Sequence, residues 1–179
     1  VHTDQREIAS ITCAAATEIL DLPLIGVHRY DADEDALVPV AWSDALASVL
    51  DGEPPSIPAG EGLAWQGYAD NETQLYAYIH AKSDVLDTDT PFRSELHLPL
   101  GEHGIIIVGS TTTDDFDATD ETLAGVLAAN VEAALDRVER DRELAEERNK
   151  YETVVDRSYD GITIVQDGVF VFANPRSLD

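Results

Sequence analysis

The feature that most constrains this chain is a long stretch without proline or glycine, from about residue 128 to residue 157. Both residues interrupt helices, so the stretch predicts one continuous helix, whose start Thr119 or Asp120 caps. A helix of this length is more than a small domain can bury, and we expect it to project and pair with a second copy of the chain. The expected dimer seam follows an approximate heptad of apolar residues: Leu127, Val131, Ala134, Val138 and Ala145.

The chain is strongly acidic. Its 179 residues include 36 aspartates and glutamates against 11 lysines and arginines, for a net charge of -25. An apolar fraction of 44% is too high for a disordered acidic segment, so we expect a folded protein with an acidic surface. The charge argues against direct binding to nucleic acid or to an anionic membrane, because phosphates would be repelled. The scarcity of lysine, with only Lys82 and Lys150, resembles the composition of proteins from salt-loving organisms.

Several features that the sequence lacks limit the class of protein it can be. The single cysteine, Cys13, excludes an internal disulfide and any multi-cysteine metal site. No apolar run approaches the length of about 18 residues that a membrane-spanning helix requires, and no signal-peptide pattern opens the chain. We therefore expect a cytoplasmic protein without a membrane partner, and the lack of any methionine indicates a fragment of a longer protein.

The first half of the chain alternates helical and extended patterns. Residues 24–30 and 37–42 predict a hairpin around an acidic turn, in which Pro39 marks an edge position or a bulge. Ser43 is placed to cap a short helix through Leu50, and a second short helix follows over residues 62–68. Before the hairpin, residues 2–21 predict a helix capped by Thr3 or Asp4, with one face formed by Ile8, Ile11, Thr12, Ala15, Ile19 and Leu20.

Three further strands are predicted at residues 75–79, 93–100 and 105–108, of which the last is the most apolar and is expected at the centre of a sheet. The strand at 93–100 alternates, with Leu96, Leu98 and Leu100 on one face and Glu95, His97 and Pro99 on the other. Near the end of the chain, residues 160–165 and 169–172 predict a second hairpin around the turn Gln166-Asp167-Gly168.

Four segments, in this order and at this spacing, resemble those of a GAF domain: residues 57–65, 93–100, 104–109 and 116–124. The resemblance covers about residues 3–138. It implies an α+β fold in which a six-stranded antiparallel sheet carries helices on both sides, with a long C-terminal linker helix after it. It also implies a small-molecule pocket over one face of the sheet, without naming the ligand or any cofactor.

Residues 151–179 resemble the opening of a PAS domain, in Tyr151-Glu152-Thr153-Val154-Val155, Asp160-Gly161-Ile162 and Val171-Phe172-Ala173-Asn174-Pro175. We therefore expect a GAF-like sensory domain at 1–138, a coiled-coil signalling helix at 139–156 and a truncated PAS β-hairpin at 157–179. Combined with the acidic composition, this order resembles haloarchaeal sensor histidine kinases and bacterio-opsin-activator-like transcription regulators. The resemblance implies a homodimeric sensory module that passes ligand occupancy to the PAS domain.

The expected ligand pocket consists of aromatic and apolar residues that a GAF-like order places around the proline- and glycine-rich loop of residues 52–62. A flat ligand can stack on such rings. The alternative is that these side chains fill the space and that the domain is a ligand-free dimerisation module. The candidate residues are Trp42, Trp65, Tyr76, Tyr78, Leu96 and Leu98.

Other motifs favour structural roles. Phe116 with Asp120 and Glu121 matches half of a signature of cyclic-nucleotide-binding GAF domains, and a helix start with acids in its first turn explains the same residues. His80 and His97 fall on neighbouring predicted strands, but the five histidines show no metal-ligand spacing, so we predict no metal site. Cys13 is expected to be a small packing residue.

These motifs supply no catalytic group, so we predict that the chain is not an enzyme. The less favoured alternative is a redox enzyme of the kind that GAF sulfoxide reductases represent. Such enzymes rely on several cysteines, and this chain has one.

Overall fold

A six-stranded antiparallel sheet organises the first part of the chain in the computed structural model, which describes residues 2–83, 89–156, 163–166 and 169–173. The spatial order of the strands is β3-β2-β1-β6-β5-β4, which puts β1 and β6 at the centre and confirms the expected six-stranded α+β fold. The strands are β1 (Ile25–Asp31), β2 (Ala36–Trp42), β3 (Ile57–Pro58), β4 (Gln74–Tyr76), β5 (Ser94–Pro99) and β6 (Gly104–Ser110).

Helices flank this sheet. The long helices α1 (His2–Ile19) and α4 (Ala118–Asp156) precede and follow it in sequence, whereas the short helices α2 (Asp44–Leu50) and α3 (Gly62–Asp70) lie between strands. A single 3-10 turn covers Ile79–Ala81, where the sequence predicted the end of a strand. Among the described helices, none combines the length and the apolar character needed to cross a membrane.

The main core lies between one face of the sheet and the helices α1 and α4. Because side chains alternate along a strand, every second residue of β1, β5 and β6 faces these helices. Each such aliphatic side chain contributes about 1.5–3 kcal/mol when fully buried. The strand residues on this face are Ile25, Val27, Leu96, Leu98, Ile106 and Val108, and all are at most 3% exposed.

Helix α1 buries part of the predicted face. Thr12 is 2% exposed, and Ile8 and Leu20 pack against the main core, as predicted. Ile11 and Ile19, by contrast, are 62% and 77% exposed, and Ala9 and Ala16 are almost fully buried. The buried stripe still has helical spacing, but it is made of small residues, and these allow the helix axis to approach the sheet closely. Thr3 and Asp4 lie within the helix rather than before it, so neither is its cap.

The first hairpin and the helix that follows it agree with the sequence prediction. The register between β1 and β2 shifts at Val27 and His28, opposite Pro39, which confirms the predicted irregularity at the proline. Ser43 caps α2, and its Oγ accepts a hydrogen bond from the backbone N–H of Leu46 at 3.2 Å.

Helix α4 begins at Ala118, two residues before the start that a Thr119 cap would give. The carboxylate of Asp117 accepts hydrogen bonds from the backbone N–H groups of Thr119 and Asp120, at 2.7 and 2.9 Å, so Asp117 replaces the predicted caps. In return, the Asp120 carboxylate accepts from the N–H of Asp117 at 2.9 Å.

Part of the predicted dimer seam packs inside the domain. Val131 is 6% exposed in the main core, and Leu127 packs against that core, so neither is free to pair with a second chain. Ala134 and Val138 are partly buried, and Ala145 is exposed. The sequence pattern could not distinguish a seam from a domain-facing stripe, because both repeat every three to four residues.

The chain divides into two compact units, Val1–Asp136 and Arg137–Asp179. In the second unit, β7 (Thr163–Gln166) pairs antiparallel with β8 (Val169–Ala173), as the predicted hairpin requires. The predicted turn residues Asp167 and Gly168, the segment at 157–162 and the closing Asn174-Pro175 lie outside the described residues. The assignment of this unit to a PAS domain stays a prediction.

Candidate functional site

A cavity of about 160 Å³ lies on the face of the sheet opposite the main core. Its floor is formed by β1, β5 and β6, and its other walls come from α2, α3 and two proline-containing loops at residues 54–55 and 90–92. Apolar side chains such as Leu46, Leu63 and Ile79 provide most of the lining. The exposed residues Pro55 and Pro91 lie at its rim.

Two glycines keep the floor of the cavity open. A Cβ on Gly109 would come within 2.7 Å of the Phe92 ring, and one on Gly26 would lie 3.2 Å from a methyl of Leu46. Any larger residue at these positions therefore takes space from the cavity or displaces its walls. The glycines lie on β6 and β1, on the face where the neighbouring residues His28 and Ile107 also line the cavity.

His28 is buried in the cavity wall and is 3% exposed. Its Nε2 lies 3.2 Å from the carbonyl oxygen of Pro55, while its Nδ1 has no hydrogen-bond partner among the described residues. Burial lowers the pKa of His28 to about 4; the hydrogen bond with Pro55 opposes this shift and the charge of His97 adds to it. The ring is therefore neutral at pH 7.

His97, on β5, also lines the cavity and is 1% exposed; in the sheet register it lies level with Ile107 and Gly26. Its Nε2 lies 2.7 Å from the Oε2 of Glu95, and its Nδ1 also has no hydrogen-bond partner among the described residues. The ring of Tyr76 meets the imidazole edge-on, with the centroids 5.1 Å apart, and so fixes its orientation from the other side. A buried polar atom without a partner costs about 1–3 kcal/mol, so the folded state bears this cost at both Nδ1 atoms.

None of the six residues predicted to line the ligand pocket lines this cavity. Leu96 and Leu98 face the main core on the other side of the sheet, and Tyr78 is 57% exposed. Trp42 ends β2 and is partly buried. The alternation along β5 is as predicted, but α1 and α4 cover the leucine face, and the cavity lies on the opposite face.

Two predicted aromatics lie close to the cavity without lining it. Tyr76 packs against Leu63 and Ile79, both of which do line it. Trp65 belongs to a cluster with Tyr30 and Tyr68, in which ring centroids are 5.4–6.0 Å apart. Rings at this separation fill the space between them, so this cluster is packed rather than open.

Sequence reasoning did not single out His28, Glu95 or His97 as ligand-binding residues. The available signal was polarity at alternate positions inside otherwise apolar strands, since Gly26 and His28 interrupt the apolar strand β1 in the same way as Glu95 and His97 interrupt β5. A polar side chain in a central strand is buried, and a buried histidine requires partners.

The other candidates from the sequence have structural positions. Cys13 packs in the main core, as predicted, and burial raises the pKa of its thiol to about 11. Phe116 is 9% exposed in the same core, and Asp120 belongs to the α4 cap. The Nε2 of His80 lies 2.9 Å from the carbonyl oxygen of Phe92. Within the described residues, no group of three or more metal-binding side chains occurs.

Several solved structures are similar to this chain. A free methionine-R-sulfoxide reductase from Neisseria meningitidis, in complex with its substrate, has a TM-score of 0.65 and 24% identity over 78% of this chain and 82% of its own. The GAF domain of a phosphoenolpyruvate-protein phosphotransferase from Coxiella burnetii has a TM-score of 0.66 and 16% identity, over 78% and 87% of the two chains. The GAF domain of the cyanobacteriochrome TePixJ has a TM-score of 0.60 and 18% identity, over 76% and 91%. At these identities the likeness shows the fold.

The reductases correct one prediction made from the sequence. The expectation that the chain is not an enzyme treated a GAF-like fold as a sensory module, but structures of this fold include free methionine-R-sulfoxide reductases as well as the other GAF domains. The fold therefore gives no ground for excluding catalysis. The chain's one cysteine, Cys13, lies in the main core, on the opposite face of the sheet from the cavity.

Family comparison agrees with the structural likeness. A search of curated proteins gives no match to the sequence. A family model described as a GAF domain matches residues 2–136, which is most of the chain and the whole of the six-stranded sheet. The chain therefore belongs to the GAF domain family.

Proposed function

We propose that this GAF domain binds a small molecule in the cavity between the sheet and the helices α2 and α3. The observation that carries the proposal is the cavity itself, whose wall is largely apolar and includes the two buried histidines His28 and His97. The volume of about 160 Å³ limits that ligand to roughly the size of a single ring with substituents.

A thermal-shift and NMR screen of small ring compounds tests cavity binding. We expect binders to shift the backbone amide signals of Gly26, Gly109 and Ala64, which lie on different walls. Leu50→Trp is the blocking variant, because Leu50 lines the cavity and is only partly buried, so the indole has room to turn inward. Leu144→Trp is the matched control, since Leu144 is 65% exposed on α4.

Binding that survives Leu50→Trp would place the ligand elsewhere and contradict the proposal. If no compound binds, the alternative given by the sequence analysis is favoured. In that alternative the domain is a ligand-free GAF module that serves dimerisation.

We also propose that the domain self-associates through the outward faces of α1 and α4, and that ligand occupancy is passed along α4 to the unit that follows. Within the first unit, four large apolar side chains on these helices are exposed: Ile11 (62%), Ile19 (77%), Leu123 (45%) and Val126 (56%). This set replaces the predicted seam at Leu127 and Val131. The resemblance of residues 151–179 to a PAS opening supports placing the module in a haloarchaeal signalling or transcription-regulatory protein.

Analytical ultracentrifugation in molar KCl tests self-association. The wild-type chain is expected to be a dimer, and Val126→Glu to shift it towards monomer because a carboxylate would have to be desolvated in the interface. Ala45→Glu, on the exposed side of α2, is the control and should leave the dimer unchanged. A wild-type chain that is monomeric at high concentration would contradict this proposal.

A further inference from the structure

The nitrogen atoms of the two cavity histidines are withdrawn from a ligand. The Nδ1 atoms of His28 and His97 have almost no accessible surface, so a group inside the cavity does not reach them. The Nε2 of His28 lies 3.2 Å from the carbonyl oxygen of Pro55, and the Nε2 of His97 lies 2.7 Å from the Oε2 of Glu95. Both rings therefore form part of the wall without offering a free hydrogen-bonding group.

The backbone of the cavity floor is also engaged elsewhere. The floor strands β1, β6 and β5 each lie between two other strands, so their N–H and C=O groups point along the sheet towards their neighbours. A ligand above the floor meets side chains instead, and these are mainly aliphatic, as at Leu46, Leu63 and Ile107. The hydroxyl in the described lining, that of Thr90, belongs to the loop that carries the rim residue Pro91.

The described lining offers little charge that a ligand could use. It contains no lysine or arginine, and its acidic residue, Glu95, is already hydrogen-bonded to His97. Because burial lowers the pKa of His28 to about 4, that ring is neutral at pH 7. An anion would meet the Glu95 carboxylate and a net chain charge of -25, and a cation would have to share Glu95 with His97. An ion of either sign would therefore lose its water of hydration without gaining a free partner.

The volume of the cavity sets the size of the ligand. About 160 Å³ is close to the volume of engineered apolar cavities that hold benzene. A cavity of this kind binds because the ligand's apolar surface leaves water, and the gain grows with the area that is covered.

We infer that the cavity takes small, uncharged, apolar molecules with a single ring or a short branched chain, and that it selects against molecules of the same size that carry a hydroxyl or a charge. The described wall supplies contact area but almost no free hydrogen-bonding group, so a polar group on the ligand is desolvated without compensation. This inference rests on the proposed ligand-binding function and specifies its ligand class.

Four single-ring probes of similar size test the inference on the full chain by NMR titration: toluene, phenol, benzoate and benzylamine. We expect toluene to bind about tenfold more tightly than phenol, which is the factor that one uncompensated hydroxyl predicts. The two ions are expected to bind more weakly than phenol. The backbone amide signals of Gly26 and Gly109, both in the cavity floor, report occupancy.

A variant that adds a polar group to the wall tests the physical reason. Leu50 lines the cavity and is partly buried, and asparagine has nearly the shape of leucine, so Leu50→Asn places an amide beside the ligand. An amide both donates and accepts, so the preference for toluene over phenol should fall about threefold to tenfold. Leu144→Asn is the matched control, since Leu144 is 65% exposed on α4, and it should keep the wild-type preference. The wild-type titrations decide the matter if Leu50→Asn does not fold.

The outcomes distinguish this inference from the function on which it rests. Phenol that binds the wild-type chain as tightly as toluene would overturn the apolar preference while leaving cavity binding intact. Benzylamine or benzoate that binds more tightly than toluene would do the same and would assign the cavity to an ion. An unchanged preference in a folded Leu50→Asn would refute the stated reason for it. If none of the four probes binds, the inference fails, and the wider screen of ring compounds decides separately whether the cavity binds a ligand.

Discussion

At the scale of single residues, burial in the cavity wall changes the pKa of His28. A histidine in water gains a proton near pH 6.5, but burial lowers the pKa of His28 to about 4 in the folded chain. Between these two values the unfolded chain binds a proton at this residue and the folded chain does not. Acid therefore favours unfolding through this residue.

The first prediction is that protonation of His28 lowers the free energy of unfolding by up to about 3 kcal/mol as the pH is lowered from about 6.5 towards 4. Chemical denaturation at pH 7 and pH 5 measures the loss. His28→Gln, which cannot titrate, should lose less stability than the wild type over this interval. His80→Gln is the control because His80 is exposed, and its pH dependence should match that of the wild type. Identical behaviour of all three proteins would refute the assignment.

At the scale of elements, the hairpin between β5 and β6 is held against β1 at a point where no side chain fits. Gly104 has φ +146°, and a Cβ there would lie 2.0 Å from the backbone oxygen of His28. This contact links the start of β6 to the strand that carries the buried histidine. Gly125, in α4, has open space around its Cβ position, so glycine there serves no steric need.

The second prediction contrasts these two glycines. Gly104→Ala is expected to destabilise the fold by about 3 kcal/mol or more, since the backbone of β1 must move. Gly125→Ala is expected to stabilise it by about 0.5–1 kcal/mol, because alanine loses less backbone entropy in a helix. Urea unfolding of the two variants measures both changes. A tolerated Gly104→Ala would mean that the strand contact is looser than the structure has it.

At the scale of the whole molecule, the net negative charge limits the stability of the fold. A net charge of -25 on 179 residues produces self-repulsion that opposes compaction. Among the described residues of the first unit, ion pairs such as that between Arg29 and Asp31, at 2.5 Å, engage only a fraction of the acidic side chains. Such pairs cannot balance the excess of acid, so mobile cations must screen it.

The third prediction is that the melting temperature rises as KCl is increased from about 0.1 M to about 1 M, because the screening length falls from about 10 Å to about 3 Å over this range. The fold is expected to loosen below roughly 0.5 M salt. Differential scanning calorimetry at a series of KCl concentrations measures the effect. A melting temperature that does not depend on salt would contradict it.

The order of the helices and of most strands, the bulge at Pro39 and the Ser43 cap could be predicted from the sequence, whereas β3 (Ile57–Pro58) lies in a segment predicted as a loop. The predicted features rest on local physics: the period of apolar residues, turn chemistry and the conformational limits of proline and glycine. The GAF family was inferred from the resemblance of four segments. Even the alternation of Leu96 and His97 on β5 could be read from the strand period alone.

Only the tertiary structure decided which face of each element is covered. The same period describes the buried alanines of α1 and its exposed isoleucines, or a dimer seam and a domain-facing stripe on α4. The leucine face of β5 is filled because α1 and α4 pack on it, and the cavity is therefore left on the histidine face. Long-range packing makes that choice, since the buried alanines of α1, Ala9 and Ala16, lie 80 or more positions before Leu96 in the chain.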